Sequence, residues 1–119
     1  MKGQILVVAE QDNSEKYSRA ILDAGYYPMS AFAVCSSLYG RSEIDQEMIF
    51  EGQAKGTPEL YEALVVGPEA EWAIPLFVMA GWGGKEHPVI GIGEEFIEGV
   101  DEMVSLENLI SVLNKISLD

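Results

Sequence analysis

The chain has 119 residues, 48% hydrophobic and 23% charged, a balance typical of one folded domain rather than a disordered segment. Twenty acidic residues against seven basic ones give a formal charge of −13, which excludes nucleic-acid binding because that requires clustered Lys and Arg. No run approaches about 18 consecutive apolar residues, so a membrane span is excluded as well.

The start of the chain and its cysteine content indicate a cytoplasmic protein. Met1 and Lys2 lead almost directly into the apolar run at residues 5–8, which is too short for a secretory signal. Cys35 is the single cysteine, so an internal disulfide or a multi-cysteine zinc site is excluded. We therefore expect one cytoplasmic domain over residues 1–119.

The first predicted elements are a strand and a helix. Residues 5–8 (ILVV) form a continuous apolar run of the kind that is buried on both faces in a parallel sheet. Residues 14–24 carry apolar side chains at helical spacing and predict an amphipathic helix. Asn13 is its expected N-cap, and Gly25 is the expected left-handed residue that stops it.

The middle of the chain predicts an edge strand and two helices. Residues 27–31 read as a second strand, and Pro28 favours a position at the edge of the sheet. Residues 42–52 predict a helix, and Thr57 followed by a proline opens another short one.

The second half alternates strands with helices. Buried strands are expected at residues 63–66 and 89–92, and a short strand at residues 102–104. A helix should begin near Ile74, because Pro75 is tolerated only in a first turn. Ser105 is the expected cap of the last helix, whose apolar stripe comprises Leu106, Leu109, Ile110, Leu113 and Ile116.

This alternation predicts the fold. Strands joined through helices imply right-handed crossovers and a parallel sheet that is covered on both faces. Five strands in 119 residues suit a flavodoxin-like three-layer α/β/α sandwich. The sheet should be mostly parallel, with strand order 2-1-3-4-5.

Ligands of such sheets bind beyond the carboxyl ends of the strands, near the reversal of strand order. The residues expected there are Glu10, Gly67, Glu69, Glu71, Trp72, Gly93 and Glu94. This rim is acidic and lacks Lys and Arg, so it disfavours a bare phosphate and suits a neutral nucleoside-like or sugar-like ligand, or none. No cofactor is expected, although the carboxylates could hold a hydrated Mg²⁺. Trp72 either stacks on a base or packs in the core.

Several other features have two interpretations. The stretch from Glu86 to Glu107 contains seven acids and no Lys or Arg, and it is either a solvated face or a docking face for a basic protein partner. A homodimer is left open. His87 should lie at the amino end of the sheet, opposite the expected site, and residues 81–84 (GWGG) read as a helix stop and turn.

Residues 5–8 with the following helix, residues 88–90 (PVI) and residues 99–104 (GVDEMV) resemble response-regulator receiver domains. The phosphorylation chemistry of that family is absent. Glu10 stands alone where paired acids are usual, Gly67 replaces the phospho-accepting aspartate, and Gly93 replaces the switch hydroxyl. This resemblance implies a non-catalytic, receiver-like interaction module.

Residues 63–73 (ALVVGPEAEWA), followed by residues 84–91 (GKEHPVIG), resemble the nucleoside 2-deoxyribosyltransferase-like group, which is also flavodoxin-like. That resemblance implies that Glu71 is a nucleophilic carboxylate attacking the anomeric carbon of a sugar. The group carries a Gly-Pro-type loop after its first strand. In this chain the corresponding residues 9–11 are Ala-Glu-Gln. The sequence therefore predicts either a small-ligand-binding, N-glycosyl-processing domain or an interaction module, and leaves open whether the chain is an enzyme.

Overall fold

The computed structural model describes residues 3–9, 11–30 and 58–118. Its five strands are β1 (Gln4–Val8), β2 (Tyr27–Ser30), β3 (Ala63–Val66), β4 (Val89–Ile92) and β5 (Glu102–Val104). Every neighbouring pair is parallel, and the strand order is β2-β1-β3-β4-β5. The predicted flavodoxin-like sheet and its order are confirmed.

Helices and 3₁₀ segments connect these strands. The helices are α1 (Gln11–Asp23), α2 (Ile74–Met79) and α3 (Leu109–Leu118). The 3₁₀ segments are Pro58–Leu60, Pro68–Ala73 and Leu106–Asn108. None of the helices in the described ranges is both long and apolar enough to cross a membrane.

The core lies in two clusters, one on each face of the sheet. Along β1, Ile5 and Val7 pack in the cluster that holds α1 and α3, whereas Leu6 and Val8 pack in the cluster that holds α2. Successive residues of a strand point to opposite faces, so a strand buried on both faces reads as a continuous apolar run. The predicted three-layer arrangement follows.

Helix α1 begins three residues earlier than predicted. Asn13 lies in its first turn, so its predicted role as the N-cap is wrong. No Gly or Pro interrupts the chain just before it, and Ser14 already belongs to the buried face. The stop at Gly25 is confirmed: its φ is 92°, and the N–H groups of Gly25 and Tyr26 donate to the carbonyls of Leu22 and Ile21 at 2.9 and 3.1 Å.

Among the described strands β2 lies at the edge of the sheet, as predicted, and it pairs there with β1. In the register of that pair Pro28 lies opposite Ile5. The end of the predicted strand at Ala31, Cys35, the helix predicted over residues 42–52 and the cap at Thr57 lie outside the described residues.

Helix α2 begins at Ile74 as predicted, with Pro75 in its first turn. The 3₁₀ segment Pro68–Ala73 before it was not predicted; it includes a kink at Ala70, with φ −113° and ψ 16°. The connection from β4 to β5, residues 93–101, contains no helix. The second face is therefore covered beside α2 by this connection, which we call the β4–β5 loop.

The start of the last helix differs from the prediction in two ways. Ser105 occupies an N-cap position, but its side chain makes no capping hydrogen bond in the described structure; its carbonyl accepts the N–H of Asn108 at 3.0 Å instead. Leu106 is exposed, because it lies in a 3₁₀ turn whose side-chain directions do not continue the α-helical stripe. Leu109 and Leu113 are buried as predicted.

Candidate functional site

The strand order reverses between β1 and β3, at the carboxyl edge of the sheet. Gly67 follows β3 there, and its N–H donates to the carbonyl of Val8 at 2.9 Å, so it prolongs the ladder between the two strands. Gly67 is extended, with φ −72° and ψ 158°, and it is buried. Its backbone therefore belongs to the packed sheet.

Two of the predicted site residues are exposed to solvent in the 3₁₀ segment Pro68–Ala73, which follows Gly67. Pro68 opens the 3₁₀ segment, and the Ala70 N–H donates to the carbonyl of Gly67 at 3.0 Å. Ala70 and Ala73 are buried against the sheet, whereas Glu71 and Trp72 are exposed. A carboxylate and an indole are therefore exposed at consecutive positions of this segment.

Another two of the predicted residues follow β4. The N–H of Gly93 donates to the carbonyl of Val104 at 2.9 Å, and a φ of 149° makes glycine the favoured residue there. Glu94 is exposed. Since β3 and β4 are neighbours, Gly67 and Gly93 lie at the same edge, one strand apart.

Two predicted residues are not placed. Glu10 lies outside the described residues, and the side chain of Glu69 is not described. Within residues 3–9, 11–30 and 58–118, no group of three or more His, Cys, Asp or Glu side chains is arranged to hold a metal ion. Because both unplaced carboxylates belong to the predicted rim, the Mg²⁺ site stays a prediction.

Helix α2 has an unusual distribution of exposure. Its sequence, IPLFVM, is apolar at every position, yet Ile74 and Phe77 alone are buried. Val78 is 41% exposed and Met79 76% exposed, and Trp72 just before the helix is 43% exposed. We call Trp72, Val78 and Met79 the apolar face.

The β4–β5 loop continues this surface. A β-carbon on Gly99 would lie 3.0 Å from Ile74 Cγ2 and 3.5 Å from Val78 Cγ2, so the loop backbone rests directly on α2. Phe96 at its outer part is 71% exposed. Three exposed carboxylates surround it in sequence: Glu94, Glu95 and Glu98. The sequence indicates these acids, but it does not identify Phe96 as an exposed residue among them.

At the amino edge of the sheet, the predicted turn is held by a side chain that the sequence analysis did not single out, Asp101. The Asp101 carboxylate accepts the N–H of Val89 at 2.8 Å and that of Gly84 at 3.1 Å. Gly81, Gly83 and Gly84 have positive φ angles of 106°, 119° and 88°, which confirms residues 81–84 as the predicted stop and turn. Through these hydrogen bonds Asp101, which directly precedes β5, connects the turn to the first residue of β4.

Aromatic side chains fill the space beneath that turn. Trp82 is 3% exposed, and its ring centroid lies 5.7 Å from that of Tyr61 and 5.9 Å from that of Phe77. Its Nε1–H has no acceptor among the described residues. Burial raises the pKa of Tyr61.

His87 belongs to the same edge, as predicted, and its side chain is half-buried. Its Nδ1 lies 3.1 Å from the carbonyl oxygen of Tyr61. A carbonyl can only accept, so Nδ1 carries the hydrogen and donates. This contact gives His87 a structural role at the start of β3.

A groove of about 690 Å³ lies between α1 and the start of α3. Lys16 and Arg19 line it together with two acids of the same helix, and its apolar wall includes Ile110. None of the predicted site residues lines this groove. Its charges balance, so it selects no sign of ligand charge.

Comparison with known proteins adds no relationship to these observations. No protein-family model, no curated protein and no solved structure matches the chain. The two resemblances therefore stay predictions.

Proposed function

We propose that this domain is a protein-interaction module that docks a partner with a basic surface through the apolar face. One observation carries the proposal: a helix that is apolar at every position leaves Val78 and Met79 in water. A helix that is hydrophobic all round is normally buried. In a small domain with a formal charge of −13, such an exposed apolar surface is typical of a docking site.

The residue types of the apolar face support this interpretation. Trp and Met are enriched at the cores of protein interfaces, and Met adapts its flexible side chain to partners of different shape. Helix α2 is fixed to the domain, because its residues Ile74 and Phe77 are fully buried in the core. A partner would bury the exposed side chains without rearranging the helix.

The charge around the apolar face favours a basic partner over a second copy. No Lys or Arg occurs from residue 56 to residue 84, or from residue 86 to residue 114. With a formal charge of −13 on each chain, two copies meeting through this face would repel one another. A partner with Lys and Arg around an apolar centre gains attraction instead.

Site-specific photo-crosslinking tests the proposal. A photoreactive residue at position 79 should trap one discrete partner in cell extract, and unlabelled protein should compete for it. The matched control is position 22, because Leu22 is an exposed apolar residue of α1 on the opposite face of the sheet. The captured protein must then bind again when both components are pure. Equal capture from both positions would contradict the proposal.

A second candidate is the binding of a small neutral, nucleoside-like ligand at the carboxyl edge. The observation that favours it is the adjacent pair Glu71 and Trp72, both exposed, on the segment that leaves β3 beside the reversal of strand order. The indole could stack on a base while the carboxylate acts on the sugar. A thermal-shift series with nucleosides and Mg²⁺ tests it, since saturation stabilises a protein by about 1–3 kcal/mol.

Glu71→Gln separates the roles of this carboxylate within the second candidate. If Glu71 is the nucleophile, glycosyl cleavage disappears while the free energy of unfolding changes by less than about 0.5 kcal/mol. Glu59→Gln is the matched control, because Glu59 is also an exposed acid in a 3₁₀ segment. Cleavage retained in the Glu71 variant would end the assignment.

A further inference from the structure

The second half of the β4–β5 loop, residues 97–101, is hydrogen-bonded and packed against the core. The Val100 N–H donates to the carbonyl of Ile97 at 3.2 Å, and the Asp101 N–H donates to that of Val89 at 2.9 Å. Val100 is buried in the α2 cluster, and Ile97 packs against it. Phe96 is exposed to solvent, and the residue that follows it, Ile97, is packed against the core.

A buried position for Phe96 would have been the default for so large an apolar side chain. Ile97, the next residue, packs against the core, so the loop turns the phenyl ring outward beside Glu94, Glu95 and Glu98. An exposed aromatic ring among carboxylates offers apolar contact and attraction for cations on one short segment. An acidic segment, or a second copy of this chain, would meet repulsion here.

The loop adjoins the apolar face at Val78, because the backbone of Gly99 packs against Ile74 and Val78. Helix α2 has six residues and is about 9 Å long, so a helical partner of two to three turns would span it and reach the loop. Apolar side chains on one stripe of that helix would cover Met79 and Phe96. Its flanking Lys and Arg would face the three glutamates.

We infer that the β4–β5 loop selects the partner, and that the partner segment is a cationic amphipathic helix. This inference rests on the proposed function, and it adds which chemistry the partner carries and which residues recognise it. Phe96 and Met79 supply the apolar contacts, and Glu94, Glu95 and Glu98 supply the preference for cations.

The probe is a 14-residue amidated peptide of Leu and Lys arranged as an amphipathic helix. Binding is measured by titration calorimetry, and the contacted residues are mapped by amide chemical shifts. The expected shifts fall on α2 and the β4–β5 loop. A scrambled peptide of the same composition should bind at least about tenfold more weakly, since it has the charge but no apolar stripe. Equal binding of the two peptides would overturn the inference.

Two triple variants isolate the role of the loop. Glu94→Gln with Glu95→Gln and Glu98→Gln should weaken binding of the Leu/Lys peptide about tenfold. The matched control removes three exposed acids elsewhere, Glu15→Gln with Glu59→Gln and Glu62→Gln, and should change binding less than about twofold. Both variants carry the same net charge, so a difference between them belongs to the loop.

The outcomes separate the inference from the proposed function on which it rests. If the two triple variants bind alike and Met79→Lys abolishes binding, the loop selects nothing and the inference fails while the docking face survives. If Met79→Lys binds like the unmodified protein and the shifts map elsewhere, both fail.

Discussion

The Asp101 carboxylate accepts the backbone N–H of Val89 at 2.8 Å, linking the starts of two neighbouring parallel strands. The same carboxylate also accepts the N–H of Gly84. One side chain therefore connects the end of the glycine-rich turn to the first residue of β4. Hydrogen bonds to a charged acceptor are stronger than neutral ones. Asp101 is therefore expected to be a stabilising residue although it lies on the surface.

Asp101→Ala should lower the free energy of unfolding by about 2 kcal/mol, because it leaves two backbone N–H groups without their acceptor. Asp101→Asn should cost less, since the amide oxygen still accepts one of them. Urea denaturation measures both changes. Glu102→Ala, at the neighbouring exposed acid, is the control and should stay within about 0.5 kcal/mol. Equal effects at the two positions would contradict the role of Asp101.

Trp82→Phe should destabilise the fold by less than about 1 kcal/mol, whereas Trp82→Ala should cost about 3–5 kcal/mol. The phenylalanine keeps an aromatic ring beside Tyr61 and Phe77 and removes the Nε1–H that has no acceptor in the described structure. The alanine loses the ring altogether. Thermal and urea unfolding of both variants measure these losses, and similar losses in the two would contradict the prediction.

Stability should fall at high pH through Tyr61. Burial raises the pKa of this phenol in the folded state above its ordinary value of 10.0. The folded chain then keeps a proton that the unfolded chain has lost, so the stability from this group is complete below about pH 10 and is lost as the pH rises through the raised pKa. Tyr61→Phe should flatten the decline of the free energy of unfolding above about pH 10. An identical slope in both proteins would contradict the assignment.

Incubation with acetyl phosphate and Mg²⁺ should add no phosphoryl group to the chain. Gly67 follows β3 at the position where the receiver resemblance would require an aspartate, and glycine has no carboxylate to accept the group. Intact-mass spectrometry checks this, with an active receiver domain as the positive control. A stable adduct of one phosphoryl group would overturn the receiver alignment on which the absence was predicted.

The strands could be predicted because both faces of the sheet are covered, so that β1, β3 and β4 are all uninterrupted apolar runs. Element ends were less predictable. Helix α1 begins earlier than its expected cap, and the 3₁₀ turn at Leu106 puts that side chain in solvent. An N-cap residue or a stripe of apolar side chains indicates only a local preference for a helix. Tertiary contacts decide at which residue the helix begins.

The apolar face could not be predicted, for a specific reason. In IPLFVM every position is apolar, so the sequence has no polar side to indicate which residues face water. Asp101 was equally hidden, because its contacts with Val89 and Gly84 depend on the register of β4 and β5. Phe96 did have a signal: a single aromatic residue surrounded by three glutamates in a glycine-bounded segment.

The affinity of the crosslinked partner for the Met79→Lys protein tests the central claim most directly. An exposed apolar residue at the centre of an interface commonly contributes about 2 kcal/mol or more, so the substitution should weaken binding at least about 30-fold. Leu22→Lys adds the same charge on α1, at another exposed leucine, and should bind within about twofold of the unmodified protein. Unchanged affinity in Met79→Lys, with both variants folded, would contradict docking through the apolar face.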